Sequence, residues 1–158
     1  MTPGIQALVA SLARQCIQHG WKLATAESCT GGGLAYAITS IPGSSVWFER
    51  GFVTYSDAAK QELLGVNPQT LAQFGAVSKE VAIEMAEGVL KHAQAQVSAA
   101  ITGIAGPDGG SKEKPVGTVW FAWSAQGKET KTLLVHFQGN RQEIREQAIE
   151  TALLKIPL

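Results

Sequence analysis

The sequence predicts an α/β protein, a three-layer α/β/α sandwich around a mixed sheet, and three observations carry that prediction. Helix-like and strand-like segments alternate early in the chain, as they do where helical crossovers join strands of one sheet. VSAAITG, Val97 to Gly103, has the length and apolar character of a strand buried on both faces. Late in the chain, GTVWFAW and KTLLVHF flank a turn near Gln126-Gly127 and read as an antiparallel pair. The 158 residues, 45% hydrophobic and 16% charged, fit one domain over 1–158 with a core of its own.

Each element has a local reason. Thr2-Pro3 is an N-cap followed by proline at the first helical position. Ile5, Leu8, Val9, Leu12, Cys16 and Ile17 then recur at helical spacing, and Gly20 ends the run. Trp21 to Glu27 is a short strand, and Leu34 to Ser40 a helix after the glycines. Pro42-Gly43-Ser44-Ser45 breaks the chain before GFVTYS, a strand over Gly51 to Ser56. Asp57 can cap a helix that Gly65 ends, and Asn67-Pro68 opens a short one closing near Gly75. Ser78 caps a longer helix whose stripe is Val81, Met85 and Val89, with Ala82, Ala86 and Leu90 beside it. Ile104 to Pro115 is a long loop rich in glycine and proline, and Asn140 caps a last helix carrying Ile144, Ala148, Ala152 and Leu153.

Composition narrows the function. Thirteen basic and thirteen acidic residues leave a formal net charge of zero, which gives no footprint for nucleic acid or an anionic membrane. No apolar run is long enough to span a bilayer, and the start lacks the basic and apolar regions of a secretion signal. Cys16 and Cys29, the only cysteines, then suggest a reducing, cytoplasmic setting. His19, His92 and His136 show no ligand spacing with them, so neither a metal nor another cofactor is expected.

Four stretches carry the candidate chemistry. AESCTGGG, Ala26 to Gly33, places Ser28 and Thr30 where a strand hands over to a helix. It is neither a phosphate loop of the G-K-[ST] type nor a G-x-S-x-G elbow. Taken alone, Ser28 or Thr30 is a plain helix cap, or the site holds a nucleophile or an anion. Cys29 is a rival nucleophile, but no histidine stands near it in sequence, and packing is its simpler role. In TYSDAAK, Tyr55 and Lys60 follow the next strand end. Lys60 is either a solvated surface lysine or, if buried and neutral, a base for a serine. In ITGIAGPDGGSKEKPVG, Thr102 and Gly103 end a strand, and Gly103, Gly106, Gly109 and Gly110 allow backbone to approach a ligand. A flexible connection explains that loop equally well. Arg141 stands in the first turn of the last helix, where it opposes the helix dipole, and it reads as exposed or as a phosphate or carboxylate clamp.

In order along the chain, AESCTGG, GSSxWFERGFVTYSDAAK, GAVS and GIAGPDGG…KPVGTVWFAW resemble the CinA C-terminal domain family, from about Ile5 to the final helix. The resemblance implies an amidohydrolase that converts nicotinamide mononucleotide to nicotinic acid mononucleotide and ammonia, without a metal. It implies Ser28 as nucleophile, assisted by Tyr55 and Lys60, with Thr102 in the same pocket and Arg141 linked to activity. From the chemistry of amide hydrolysis, Lys60 is expected to act as base with Tyr55 passing the proton. Backbone amides of Thr30, Gly31 and Gly32 are expected to hold the oxyanion, and Gly103, Gly106 and Arg141 to bind the substrate. The rival class is a non-catalytic nucleotide-binding or regulatory module, which the competence and damage association of the family suggests. A hydrolase for a related pyridine amide is a third reading. A closed homodimer is expected on general grounds, with VWFER, Val46 to Arg50, offering aromatic groups to its interface or to the core.

Overall fold

A computed structural model describes residues 1–158. Its sheet has five strands: β1 (Leu23–Glu27), β2 (Phe48–Val53), β3 (Val97–Gly103), β4 (Thr118–Ala125) and β5 (Lys131–His136), in the order β2-β1-β3-β4-β5. β1 pairs in parallel with both β2 and β3, while β4 and β5 run antiparallel. The sheet is therefore mixed, as the sequence predicts. Helices α1 (Pro3–His19), α2 (Gly33–Ile38) and α6 (Arg141–Leu154) cover one face, and α3 (Asp57–Leu64), α4 (Pro68–Phe74) and α5 (Lys79–His92) the other.

Alternation along the strands sorts the two cores. Leu23, Val97, Ala99, Ile101, Val119, Phe121 and Trp123 point to the α1/α2/α6 side, and Ala24, Ala26, Ala100 and Ala122 to the α5 side. Four alanines leave room for α5 to lie close to the sheet with its Val81, Met85 and Val89 stripe buried. Crowding continues behind it: a Cβ on Gly88 of α5 would overlap the carbonyl oxygen of Leu64 at the end of α3. The helix that carries Lys60 is thus pressed directly onto α5.

Caps define the ends as expected at Thr2, which accepts from the Ile5 amide at 3.1 Å, and at Asn140, which forms a capping box with Glu143. Two expectations change. β2 begins at Phe48, not Gly51, and stops at Val53. Ser56 rather than Asp57 caps α3, accepting from Ala59 N at 3.0 Å. Of the two roles open to the aromatic groups of VWFER, Trp47, only 1% exposed, takes the one in the larger core. The connection from β1 passes through α2 to β2 on one side, and the chain then returns through α3, α4 and α5 to β3 on the other. Strand order reverses about β1, and in open α/β sheets the crevice beyond the strand ends at such a point is where ligands sit.

Candidate active site

Three parallel strands deliver their C-terminal ends to one cleft: Ser28 follows β1, Tyr55 follows β2, and Thr102 and Gly103 end β3. α3 adds Lys60, α6 adds Arg141, and Cys29, Ala76, Val77 and Ala105 complete the lining of a hollow of about 220 Å³. A second hollow, of about 520 Å³, shares Ala105 and Arg141 with it and runs over Pro107, Val116 and the start of α6 at Asn140. Together they fall in the size range of small-molecule sites, about 300–1,000 Å³.

At the bottom of the cleft Lys60 meets Ser28. The lysine is 1% exposed. Its Nζ lies 3.1 Å from Ser28 Oγ and donates to the backbone oxygens of Thr54 at 2.8 Å and Tyr55 at 3.2 Å. Burial pushes its pKa below the ordinary 10.5, against a smaller upward pull from Asp57 and Cys29. The solvated-surface reading of Lys60 is therefore excluded by its position. Cys29 is buried beside the serine, and burial raises its thiol to about 11, so the sulfur is protonated near neutral pH.

Tyr55 differs from expectation. Its backbone oxygen faces Lys60 and, at 3.4 Å, Ser28 Oγ. The residue is 61% exposed, and its hydroxyl accepts from Arg141 Nη2 at 3.2 Å. A proton relay through the phenol is thus not the arrangement present, because Lys60 reaches Ser28 directly. Arg141 also donates from Nη1 to Gly106 O at 2.7 Å, so its guanidinium ties the glycine-rich loop to Tyr55 across the cleft mouth. Thr102 lines the cleft and donates its hydroxyl to Ala76 O at 2.8 Å.

The turn after β1 also needs correction. Thr30, Gly31 and Gly32 do not line the cleft, and the Gly31 amide donates to Ser28 O at 3.0 Å. Gly31 and Gly32 take φ of 58° and 99°, left-handed values that let the chain turn tightly into α2. In this turn the amides of Cys29, Thr30 and Gly32 have no acceptor in the chain, and of these three residues only Cys29, the residue after Ser28, lines the cleft. Neither Ser28 nor Thr30 caps α2. Its N-cap is Gly32, and the cap is supplied by Glu27, a residue the sequence reading passes over. Glu27 Oε1 accepts from Thr30 Oγ1 at 2.6 Å and Leu34 N at 2.8 Å, and Oε2 from Ala35 N at 3.0 Å. The available signal is an acid at the strand end shortly before a run of glycines, Gly31 to Gly33, none of which has a side chain to cap with. Of the loop's polar groups, Asp108, Ser111 and Lys112 are exposed and away from the cleft, and Lys114 Nζ donates to Phe74 O at 2.7 Å at the end of α4.

Comparison with known proteins agrees with this architecture. A solved structure of a competence/damage inducible protein from Agrobacterium tumefaciens superposes with a TM-score of 0.96 at 43% identity, covering 98% of this chain and 94% of that one. The nicotinamide-nucleotide amidohydrolase PncC of Escherichia coli K12 is 58% identical over 135 residues, 85% of this chain and 82% of its own. A CinA-like protein of Akkermansia muciniphila is 49% identical over 94% of this chain but only 35% of its own length. The family model for the CinA C-terminal domain matches residues 5–157, and the chain belongs to that family.

Proposed function

We propose that the chain is an amidohydrolase that cleaves the carboxamide of nicotinamide mononucleotide, releasing ammonia and nicotinic acid mononucleotide. The observation that carries the reading is the 3.1 Å approach of buried Lys60 Nζ to Ser28 Oγ at the strand ends. The similarity to PncC supports the substrate. Two carbonyls, of Thr54 and Tyr55, take the two N–H groups of a neutral amine, and its lone pair then faces the serine hydroxyl.

Chemistry follows from that placement. Ser28 Oγ attacks the carboxamide carbon while Lys60 takes the hydroxyl proton. The Cys29 amide donates to the oxyanion, as the residue after the nucleophile does in serine elbows. Lys60 returns the proton to the nitrogen, the C–N bond breaks, and ammonia leaves an ester on Ser28. Water, deprotonated by Lys60, cleaves the ester and restores the serine. Arg141, at the junction of the two hollows, holds the phosphate-bearing part of the nucleotide, with Gly106 and Tyr55 fixing the guanidinium. Thr102 shapes the wall around the ring.

The same reading takes residues 1–158 as one catalytic domain acting in cytoplasmic pyridine nucleotide recycling, as a closed homodimer. Incubation of purified protein with nicotinamide mononucleotide tests it: ammonia appears in equal amount to the acid product. Binding of the nucleotide with no ammonia released would favour the non-catalytic module instead, and preference for the free base or the riboside would move the substrate assignment.

A further inference from the structure

We infer that Glu27 is a positioning residue for the Ser28–Lys60 pair, acting through Thr30 and the first turn of α2 on one side and through Thr54 on the other. The inference rests on the reading of Ser28 as the nucleophile.

Glu27 is 1% exposed and has no ion-pair partner; the one ion pair of the chain is Glu49 with Arg50. A buried carboxylate without a countercharge is costly unless hydrogen bonds replace its water. Here three donors do so, and two of them are amides at the start of α2, where the helix dipole favours a negative charge. An ordinary cap would come from the N-cap residue itself. That residue is Gly32, and the acceptor instead reaches across from the end of β1. The hydrogen bonds from Leu34 and Ala35 to Glu27 therefore close a ring over residues 28–33, with the nucleophile inside it. Thr30 is held three times, its hydroxyl by Glu27 and its carbonyl by Arg145 Nη2 at 3.2 Å and by Gly33 N at 3.0 Å.

The backbone of the same residue sets the partner. Glu27 O accepts from Thr54 N at 2.8 Å, and Thr54 O accepts from Lys60 Nζ at 2.8 Å. One residue thus fixes the turn that aims Ser28 and the strand end that aims Lys60. The helix amides it occupies are no longer free for substrate, which is why the α2 terminus is not the anion site its position suggests.

The test compares Glu27→Gln, Thr30→Val and Thr30→Ser with the wild type. Glutamine keeps the shape but turns an NH₂ group toward one of the donors, so one hydrogen bond is replaced by a donor–donor clash. For Glu27→Gln the expected result is a fall of about 10- to 100-fold in kcat with KM changed less than about threefold, the scale on which nucleophile misplacement acts. Labelling of Ser28 by a small fluorophosphonate slows by a similar factor. Thr30→Val shows a smaller fall in both, and Thr30→Ser, which keeps the hydroxyl, restores them. Wild-type kcat and labelling in Glu27→Gln, or equal rates in Thr30→Val and Thr30→Ser, would overturn the inference. Should Glu27→Gln not fold, the Thr30 pair decides. A wild type that releases no ammonia but labels at Ser28 sinks only the amidohydrolase reading, and the labelling rates still decide this one. A wild type that neither releases ammonia nor labels overturns both.

Discussion

Gly88→Ala perturbs the site without touching it. The added methyl would overlap Leu64 O and lie 3.1 Å from both Leu64 C and Leu64 Cβ. Two effects oppose. Replacing glycine inside a helix stabilises by about 1 kcal/mol through propensity. Overpacking a tight contact costs about 1–3 kcal/mol, and here the obstacle is backbone that cannot rotate aside. α3 must move away by roughly 1 Å, which puts the overlap in the upper part of that range, about 2–3 kcal/mol, and leaves a net loss of about 1–2 kcal/mol after propensity. At this chain length that lowers Tm by roughly 2–8 °C. Lys60 lies one turn before Leu64 on the same helix, so the displacement reaches Nζ, and an error of about 1 Å costs up to about 100-fold in kcat/KM. Thermal melts and initial rates of ammonia release on the purified variant measure both. A variant that melts at or above the wild-type temperature with unchanged kcat/KM would refute the close α3–α5 contact and the route from it to Lys60.

Other outcomes follow from the site. With neutral Lys60 as base, acid protonates it and stops catalysis, so kcat/KM rises with pH on a limb whose midpoint lies below 10.5, as the burial of the lysine requires. The stability sign is the same. Between the depressed folded value and 10.5 the unfolded chain binds the proton and the folded chain does not, so stability rises with pH through that window. Urea melts of Lys60→Met against wild type over that range show the lysine's contribution as the difference between the two slopes, since the thiol of Cys29, raised to about 11, adds a falling slope common to both. Cys29→Ala keeps most of the activity, since the variant retains the backbone amide and the native thiol, raised to about 11, is protonated at neutral pH; loss of activity on the scale of a lost nucleophile would reverse the roles of the two residues. Tyr55→Phe removes the hydroxyl that accepts from Arg141 but not the carbonyl that faces Lys60. Steady-state kinetics then show a raised KM with kcat nearly unchanged, whereas a collapse of kcat would return the phenol to a proton-relay role.

Much of the fold is legible because local signals and burial agree. The β3 bounds match Val97 to Gly103, and α5 carries the buried stripe read from its periodicity. β2 is less legible. Its pattern is half-buried and irregular, and the aromatic Trp47 beside it serves the core, so neither alternation nor an aromatic run marks its start. Ser28, Tyr55, Lys60, Thr102 and Arg141 are brought to one cleft from four separate stretches. What sequence cannot supply is which atom of each residue matters. Tyr55 meets Lys60 through a carbonyl, a group every residue has, so its residue type says nothing of that contact. Glu27 is invisible for a related reason: its partners are two amides and a threonine several residues on, brought near only by left-handed turns at Gly31 and Gly32.

Serine-based catalysis requires a covalent intermediate on Ser28, and its detection is the most direct test. Wild-type protein mixed with nicotinamide mononucleotide, quenched in acid within the first turnovers and digested for peptide mass analysis, should carry the nucleotide acyl group on Ser28. Ser28→Ala should show no adduct and no ammonia release above background, while Cys29→Ala still forms the adduct. An adduct on Cys29, or ammonia release from Ser28→Ala at the wild-type rate, would contradict the central claim.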